Sequence, residues 1–253
     1  MKTTPYHHNL LSDQERLAGF FEAIKEKSKG IVYDLGAGSG ILSSQAASQA
    51  EHVFAVEKNP KTAQIAIHNL SNFDNVSVLV KDATKIIFPE KADLIICEML
   101  DTGLIDEELI PVLQNARQYL KDHGEIIPCG IFNGLEPIHM ETEHLCYQEG
   151  LKNNFKTMGP LKIYNSLNLK REFNEKVDVA LKLPITDHGT VNGILITTFT
   201  LLTSNIICGP TPMLNPPLMV PTNPLKVSKG DKINLDLNYI MGGGLNTVKA
   251  TIS

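Results

Sequence analysis

Gly36-Ala37-Gly38-Ser39-Gly40 is bracketed by two acids, Asp34 two residues before its first glycine and Glu57 twenty-one residues after it. Glycine at 36 and 38 lets the backbone turn sharply and bring its N–H groups close to a ligand, with no Cβ in the way. A carboxylate such as Glu57, emerging from the next strand, can grip a ribose diol. A dinucleotide fingerprint places its third glycine at position 41, where this chain has Ile41, so the turn departs from the NAD pattern. Asp34 would repel a pyrophosphate, but it suits a ligand carrying an ammonium and a sulfonium, such as S-adenosylmethionine. A plain tight turn between strand and helix can use the same residues, so the motif does not decide the matter alone.

Those groups need a strand, turn, helix, strand unit to hold them. Ile31 to Asp34 is β-prone, a small-residue helical stretch follows the glycines, and His52 to Val56 is a second apolar run ending at Glu57. The alternation continues with a helix over Lys61–Leu70 and strands over Val76–Val80 and Asp93–Glu98. A helix over Leu109–Leu120 and a strand over Gly124–Pro128 complete it. This pattern predicts a doubly wound α/β, Rossmann-like sheet with its ligand at the carboxyl ends of the strands. Upstream, Ser12-Asp13-Gln14-Glu15 fits a capping box, and Leu17, Phe20, Phe21 and Ile24 recur at helical spacing, which predicts a helix from about Asp13 to Lys27 closed by Gly30. Arg16 sits in its first turn, where the helix dipole gives a cation no benefit. It has either a specific partner or a solvated surface position.

Beyond Pro128 the texture becomes β-rich, with candidate strands over Ile131–Met140, Val177–Leu183, Gly193–Leu202, Lys232–Met241 and Thr247–Ile252. An antiparallel second domain follows from that change. Six prolines between Gly209 and Pro224 point to a stiff loop. The expected organisation is an N-terminal helical segment (1–29), a cofactor-binding sheet (30–128) and a β-barrel-like domain (129–253).

The bulk properties exclude some classes. With 253 residues, 42% hydrophobic and 20% charged, the chain has an ordinary globular composition. MKTTPYHHN has no apolar core of a signal peptide, and the run Gly193 to Cys208 is too rich in Thr and Ser for a membrane span. Four cysteines without C-x-x-C spacing indicate neither a zinc site nor a disulfide framework. A cytoplasmic location is the simplest expectation. The net charge of −5 argues against a nucleic-acid-wrapping surface and permits a cationic substrate.

Val32-Tyr33-Asp34-Leu35-Gly36-Ala37-Gly38-Ser39-Gly40, Val53 to Pro60, and Cys97-Glu98-Met99-Leu100-Asp101-Thr102-Gly103-Leu104-Ile105-Asp106-Glu107 together resemble the protein arginine methyltransferases. In that family two glutamates lie nine residues apart after the fourth strand, as Glu98 and Glu107 do here. His7 to Arg16 resembles the family's N-terminal helix, and Leu225 to Ile233 one of its barrel hairpins. The resemblance implies Arg16 for the methionine carboxylate, Asp34 and Gly36 near the methionine part, with Gly38 in the same turn, and Glu57 for the ribose. It places Asp82, Ala83 and Thr84 around the adenine, and Glu98 and Glu107 on a cationic protein or peptide acceptor. No metal is implied. Met99 stands where the family has tryptophan, and the Thr-His-Trp loop is replaced near Pro212-Met213-Leu214. The segment between His139 and Leu161 is short for the family's dimerisation arm.

Two carboxylates in one pocket raise at least one pKa unless a cation sits between them, so the pair makes sense with a cationic substrate. A strand-end acid beside a solvated acidic helix start, Asp106-Glu107-Glu108, is the bland alternative. His7 and His8 could line an acceptor pocket or simply face solvent. Arginine is the leading acceptor. Histidine, RNA or a small metabolite remain alternatives, as does a non-catalytic scaffold that keeps an adenosine site.

Overall fold

β1 (Ile31–Leu35) and β4 (Ala92–Cys97) are buried along their whole length, as near-continuous apolar strands are when helices cover both faces of a sheet. The computed structural model describes residues 12–148 and 154–253. With β2 (His52–Val56), β3 (Val76–Leu79) and β5 (Leu120–Ile127) these strands form one parallel sheet in the order β3-β2-β1-β4-β5. The chain walks from β1 through β2 to β3, then returns to the other flank of β1 as β4. The order therefore reverses between β1 and β4, and a crevice opens at their carboxyl ends.

α1 (Gln14–Lys27) lies over one face of this sheet. Asp13 is its N-cap, accepting the Arg16 N–H at 3.1 Å, where the capping-box pattern points to Ser12. Phe20, Ala23 and Ile24 are fully buried against Leu42 and Ala46 of α2 (Ile41–Ala47) and against Leu202 and Leu214 from beyond the sheet. Burying Phe20 and Ile24 contributes roughly 1.5–3 kcal/mol each. α3 (Pro60–Leu70) is capped by Asn59. α4 (Leu109–Ala116) is shorter than its apolar spacing predicts: Arg117–Tyr119 tightens into a 3₁₀ turn because Leu120 already pairs with Ala92 as part of β5.

Antiparallel strands begin at Gly130. β6 (Gly130–Met140), β7 (Cys146–Tyr147), β8 (Phe155–Thr157), β11 (Gly189–Leu201) and β13 (Leu218–Val227) form a second sheet, with β9 (Lys162–Asn168) on β6 and β12 (Ile207–Cys208) on β11. β10 (Lys176–Pro184), β14 (Lys232–Ile240) and β15 (Lys249–Ile252) form a third. One apolar cluster runs from Tyr33 and Ile95 through Leu104, Ile105 and Leu109 to Ile194, Leu235 and Tyr239. The parallel and antiparallel parts thus share a core. No helix among the described residues is long and apolar enough to cross a membrane.

Two expectations are corrected. The proline-rich stretch is a loop only as far as Pro217, because Pro221 and Pro224 lie inside β13. Beyond Met219 that strand pairs with β11 alone, and an open edge tolerates a residue without an N–H. Leu225 to Ile233 is not a hairpin: β13 pairs with β11 while β14 pairs with β10 and β15, so the Ser228–Asp231 turn hands the chain from one sheet to another. His7 and His8, and the start of the N-terminal segment, lie outside the described residues.

Candidate active site

The crevice between β1 and β4 holds about 350 Å³ and is lined by Arg16, Asp34, Gly36, Gly38, Glu57, Asp82, Ala83, Glu98 and Glu107. Nine of the ten residues picked out in the sequence therefore face one space. Thr84 does not line it. Its N–H and hydroxyl donate to Asp82 Oδ1 at 2.9 and 2.7 Å, holding the Asp82 carboxyl below its ordinary range.

Asp34, Glu57 and Glu98 are placed by the ends of strands, Arg16 by α1. Asp34, in β1, is 2% exposed and accepts a hydrogen bond from the Ser43 hydroxyl of α2. Burial pushes its carboxyl up to about 7, the Ser43 bond opposes this, and the charges of Glu98 and Glu57 add to it. Glu57 follows β2, and both of its oxygens are fixed: Oε2 accepts the Gly38 N–H at 3.1 Å and Oε1 the Asn59 N–H at 2.7 Å. The glycine turn differs from expectation here. The N–H groups of Gly36 and Ala37 both donate to the Val56 carbonyl at 2.9 Å and that of Gly38 to Glu57, so these three donors go to β2 and Glu57 rather than to a ligand. What Gly36 supplies is space, since a Cβ there would come within 3.0 Å of Met99 Sδ.

Glu98 leaves the end of β4 and meets Arg16, which reaches down from α1 and is 1% exposed. Burial raises the Glu98 carboxyl, and the Arg16 guanidinium pulls it back without cancelling the rise. Glu107 stands at the mouth of the crevice before α4, its carboxyl raised by burial and by Asp101, Asp106 and Glu108. The crevice thus carries several carboxylates, with Arg16 the buried counter-cation of Glu98. Lys58 and Lys81 sit at the rim, and Lys58 forms an ion pair with Glu108.

Several contributors carry no periodicity that marks them in the sequence. Met213 and Leu214, from the loop before β13, also line the crevice. That loop is clasped to α1 by Asp13, whose Oδ2 accepts the Thr211 hydroxyl and, at 3.1 Å, the Met213 N–H. Asp101 accepts the N–H groups of Ile105, Asp106 and Glu107.

Residues 32–124 match the family model described as a methyltransferase domain. A protein of Methanothermobacter thermautotrophicus, itself uncharacterised, is 47% identical over 99% of this chain and 98% of its own length. The chain belongs to the S-adenosylmethionine-dependent methyltransferases, in one family with that archaeal protein. Among named relatives, the arginine N(omega)-methyltransferase of Streptomyces achromogenes is 34% identical over 49% of this chain but only 37% of its own length. The fold of this methyltransferase is similar to that of the Trypanosoma brucei PRMT1 enzyme–prozyme heterotetrameric complex with AdoHcy. There the TM-score is 0.81 at 17% identity, with 98% of this chain and 96% of that one covered. The protein arginine methyltransferase build, a parallel sheet followed by antiparallel sheets, is thus the build of this enzyme.

The lining fits the cofactor. A fixed acid at Glu57, a buried acid at Asp34, a buried cation at Arg16 and the bare backbone of Gly36 match a ribose, an ammonium, a carboxylate and a close-lying chain in turn.

Proposed function

We propose that this methyltransferase modifies a guanidinium group, with a protein arginine the leading acceptor. The observation that carries the reading is that Glu98 and Glu107 line the same crevice as Asp34, Gly36 and Glu57. In this reading Arg16 holds the methionine carboxylate, Asp34 and Gly36 flank the amino-acid part, Gly38 steadies Glu57, Glu57 grips the ribose, and Asp82 and Ala83 border the base. Thr84 acts through Asp82.

S-adenosylmethionine supplies a methyl carbon on a positively charged sulfur, open to in-line attack. The residues of this chain do the rest by positioning and charge. A guanidinium is cationic at any physiological pH, and its planar fork suits carboxylates. Held between Glu98 and Glu107, it has its charge drawn toward the acids, which leaves the nitrogen facing the crevice freer to attack. The cation also offsets the burial that raises both carboxyls. Glu107 stands at the solvent-facing mouth and can take the proton that the methylated nitrogen sheds.

A second reading keeps the guanidinium but frees it from a polypeptide. It is favoured by the relative named arginine N(omega)-methyltransferase and by Met99 and Met213, which line the crevice where an aromatic wall would otherwise grip a side chain. A cytoplasmic site of action suits the four free thiols.

Incubation with labelled S-adenosylmethionine and a cell lysate tests both readings. Label in protein hydrolysates as methylarginine supports the first, and label only in free arginine supports the second. Label only in RNA, in histidine or in other metabolites sinks the guanidinium reading.

A further inference from the structure

Asp101 is 8% exposed, yet it lies outside the lining of the crevice. Its Oδ2 accepts the N–H groups of Ile105 and Asp106, both at 3.0 Å, and its Oδ1 that of Glu107 at 3.2 Å. The Leu104 N–H turns onto its carbonyl at 3.0 Å. Four consecutive amides are therefore gathered by one residue, and the last of them belongs to Glu107. A fourth donor to the carboxylate comes from the antiparallel part, the Tyr147 hydroxyl of β7 at 3.3 Å from Oδ2.

The opposite side of the same loop is held just as closely. Thr102 donates its hydroxyl to the Pro216 carbonyl at 2.7 Å, and Thr198 Oγ1 accepts the Gly103 N–H at 2.8 Å. The Gly242 and Gly244 N–H groups bind the carbonyls of Leu104 and Ile105 at 2.8 Å. Gly103 and Leu104 both have left-handed φ, 72° and 57°, which brings the loop around Asp101. Burial holds the Asp101 carboxyl above its usual range although these four donors oppose the rise, and removing it would strand the three N–H groups that lead into α4.

We propose that Asp101 is a positioning residue for Glu107, fixing the backbone from which that acid reaches the acceptor and linking it through Tyr147 to the antiparallel sheet. The proposal rests on the guanidinium reading above. A loop that merely needed capping would lose stability without Asp101. A loop that aims an acid would lose acceptor turnover through that acid.

The test uses the full chain as wild type, Asp101→Asn, Glu107→Gln and the double variant, with a synthetic arginine-rich peptide as acceptor, or free arginine where the peptide is inert. Asn has the same shape but offers one acceptor oxygen where Asp offers two. Amide exchange at residues 105–107 should quicken about tenfold in Asp101→Asn while β1 stays protected. Its kcat/KM for that acceptor should fall about tenfold or more, since a misplacement near 1 Å costs on that order. Affinity for S-adenosylhomocysteine should stay within about twofold of wild type, because Asp101 does not border the cofactor. In the Glu107→Gln background, adding Asp101→Asn should change turnover by less than about twofold, the mark of residues acting as one unit. Tyr147→Phe, which spares the three N–H bonds, should lose about two- to threefold. Unchanged exchange, or losses that multiply in the double variant, overturn the proposal. Glu107→Gln impaired with Asp101→Asn unimpaired overturns it and leaves the guanidinium reading standing. A wild type inert on both the peptide and free arginine, or an unimpaired Glu107→Gln, sinks both.

Discussion

The Arg16 guanidinium and the Glu98 carboxylate form an ion pair that joins α1 to the end of β4, inside the crevice that both line. Arg16 is 1% and Glu98 17% exposed at the side chain. Removing one partner leaves the other charged group with little water to replace it. Arg16→Met should cost about 3 kcal/mol, whereas Arg16→Met with Glu98→Met together should recover most of that stability, as buried pairs replaced by apolar residues do. Urea unfolding of the three forms decides it, and a double variant no more stable than the single one contradicts the account. Neither form should methylate.

Asp34 gives a pH signature. Burial holds its carboxyl at about 7, against an ordinary 3.8, so between those values the folded chain keeps a proton that the unfolded chain gives up. Its contribution to stability is complete below 3.8 and is lost as pH rises through about 7. An ammonium placed beside it drives the proton off. S-adenosylhomocysteine binding near pH 6.5 should release most of one proton, and binding a unit or more above the Asp34 value should release little. Calorimetric titration in two buffers of different ionisation enthalpy measures this. Equal heats in both buffers refute it, and Asp34→Asn should abolish the difference.

Gly36 has φ 77° and a Cβ position 3.0 Å from Met99 Sδ. Gly36→Ala should lose about 1–2 kcal/mol from backbone strain and weaken cofactor binding. Adding Met99→Ala should relieve the contact but not the strain, so only part of the stability returns. Full recovery in the double variant would show that space, not backbone, limits this position.

Lys58 and Glu108 pair at the rim with side chains 58% and 50% exposed. Such pairs are worth little, and Lys58→Gln should change stability by less than about 0.5 kcal/mol. The same change strips a positive charge from an acidic mouth, so kcat/KM for a cationic acceptor should rise a few-fold at low salt and match wild type at high salt. A salt-independent effect would mean that Lys58 touches the acceptor directly.

The parallel sheet, the glycine turn, Asp34 and Glu57 were legible because they obey local rules: buried strands read as unbroken apolar runs, and the two acids flank the turn at fixed offsets. Asp82, Ala83, Glu98 and Glu107 came instead from the family resemblance, and Arg16 stood out only as a cation in a helix's first turn. The destination of the glycine turn's N–H groups was not legible, because Val56 and Glu57 claim them only once β2 lies beside β1. Pro221 and Pro224 look like loop residues until β13 is seen to have an open edge. Asp101 is silent for a similar reason. Nothing in its neighbours' types announces that four amides will fold onto it, since the left-handed bend at Gly103 and Leu104 depends on hydrogen bonds and packing supplied by Thr198, Pro216 and Tyr239.

The Leu104 and Ile105 carbonyls are bound by Gly242 and Gly244, in the turn that follows β14. That turn is therefore a brace for the loop that carries Glu107. Grafting a foreign barrel onto this sheet to redirect the enzyme would have to transplant residues 98–107 with it, because that loop is stitched to the turn between β14 and β15.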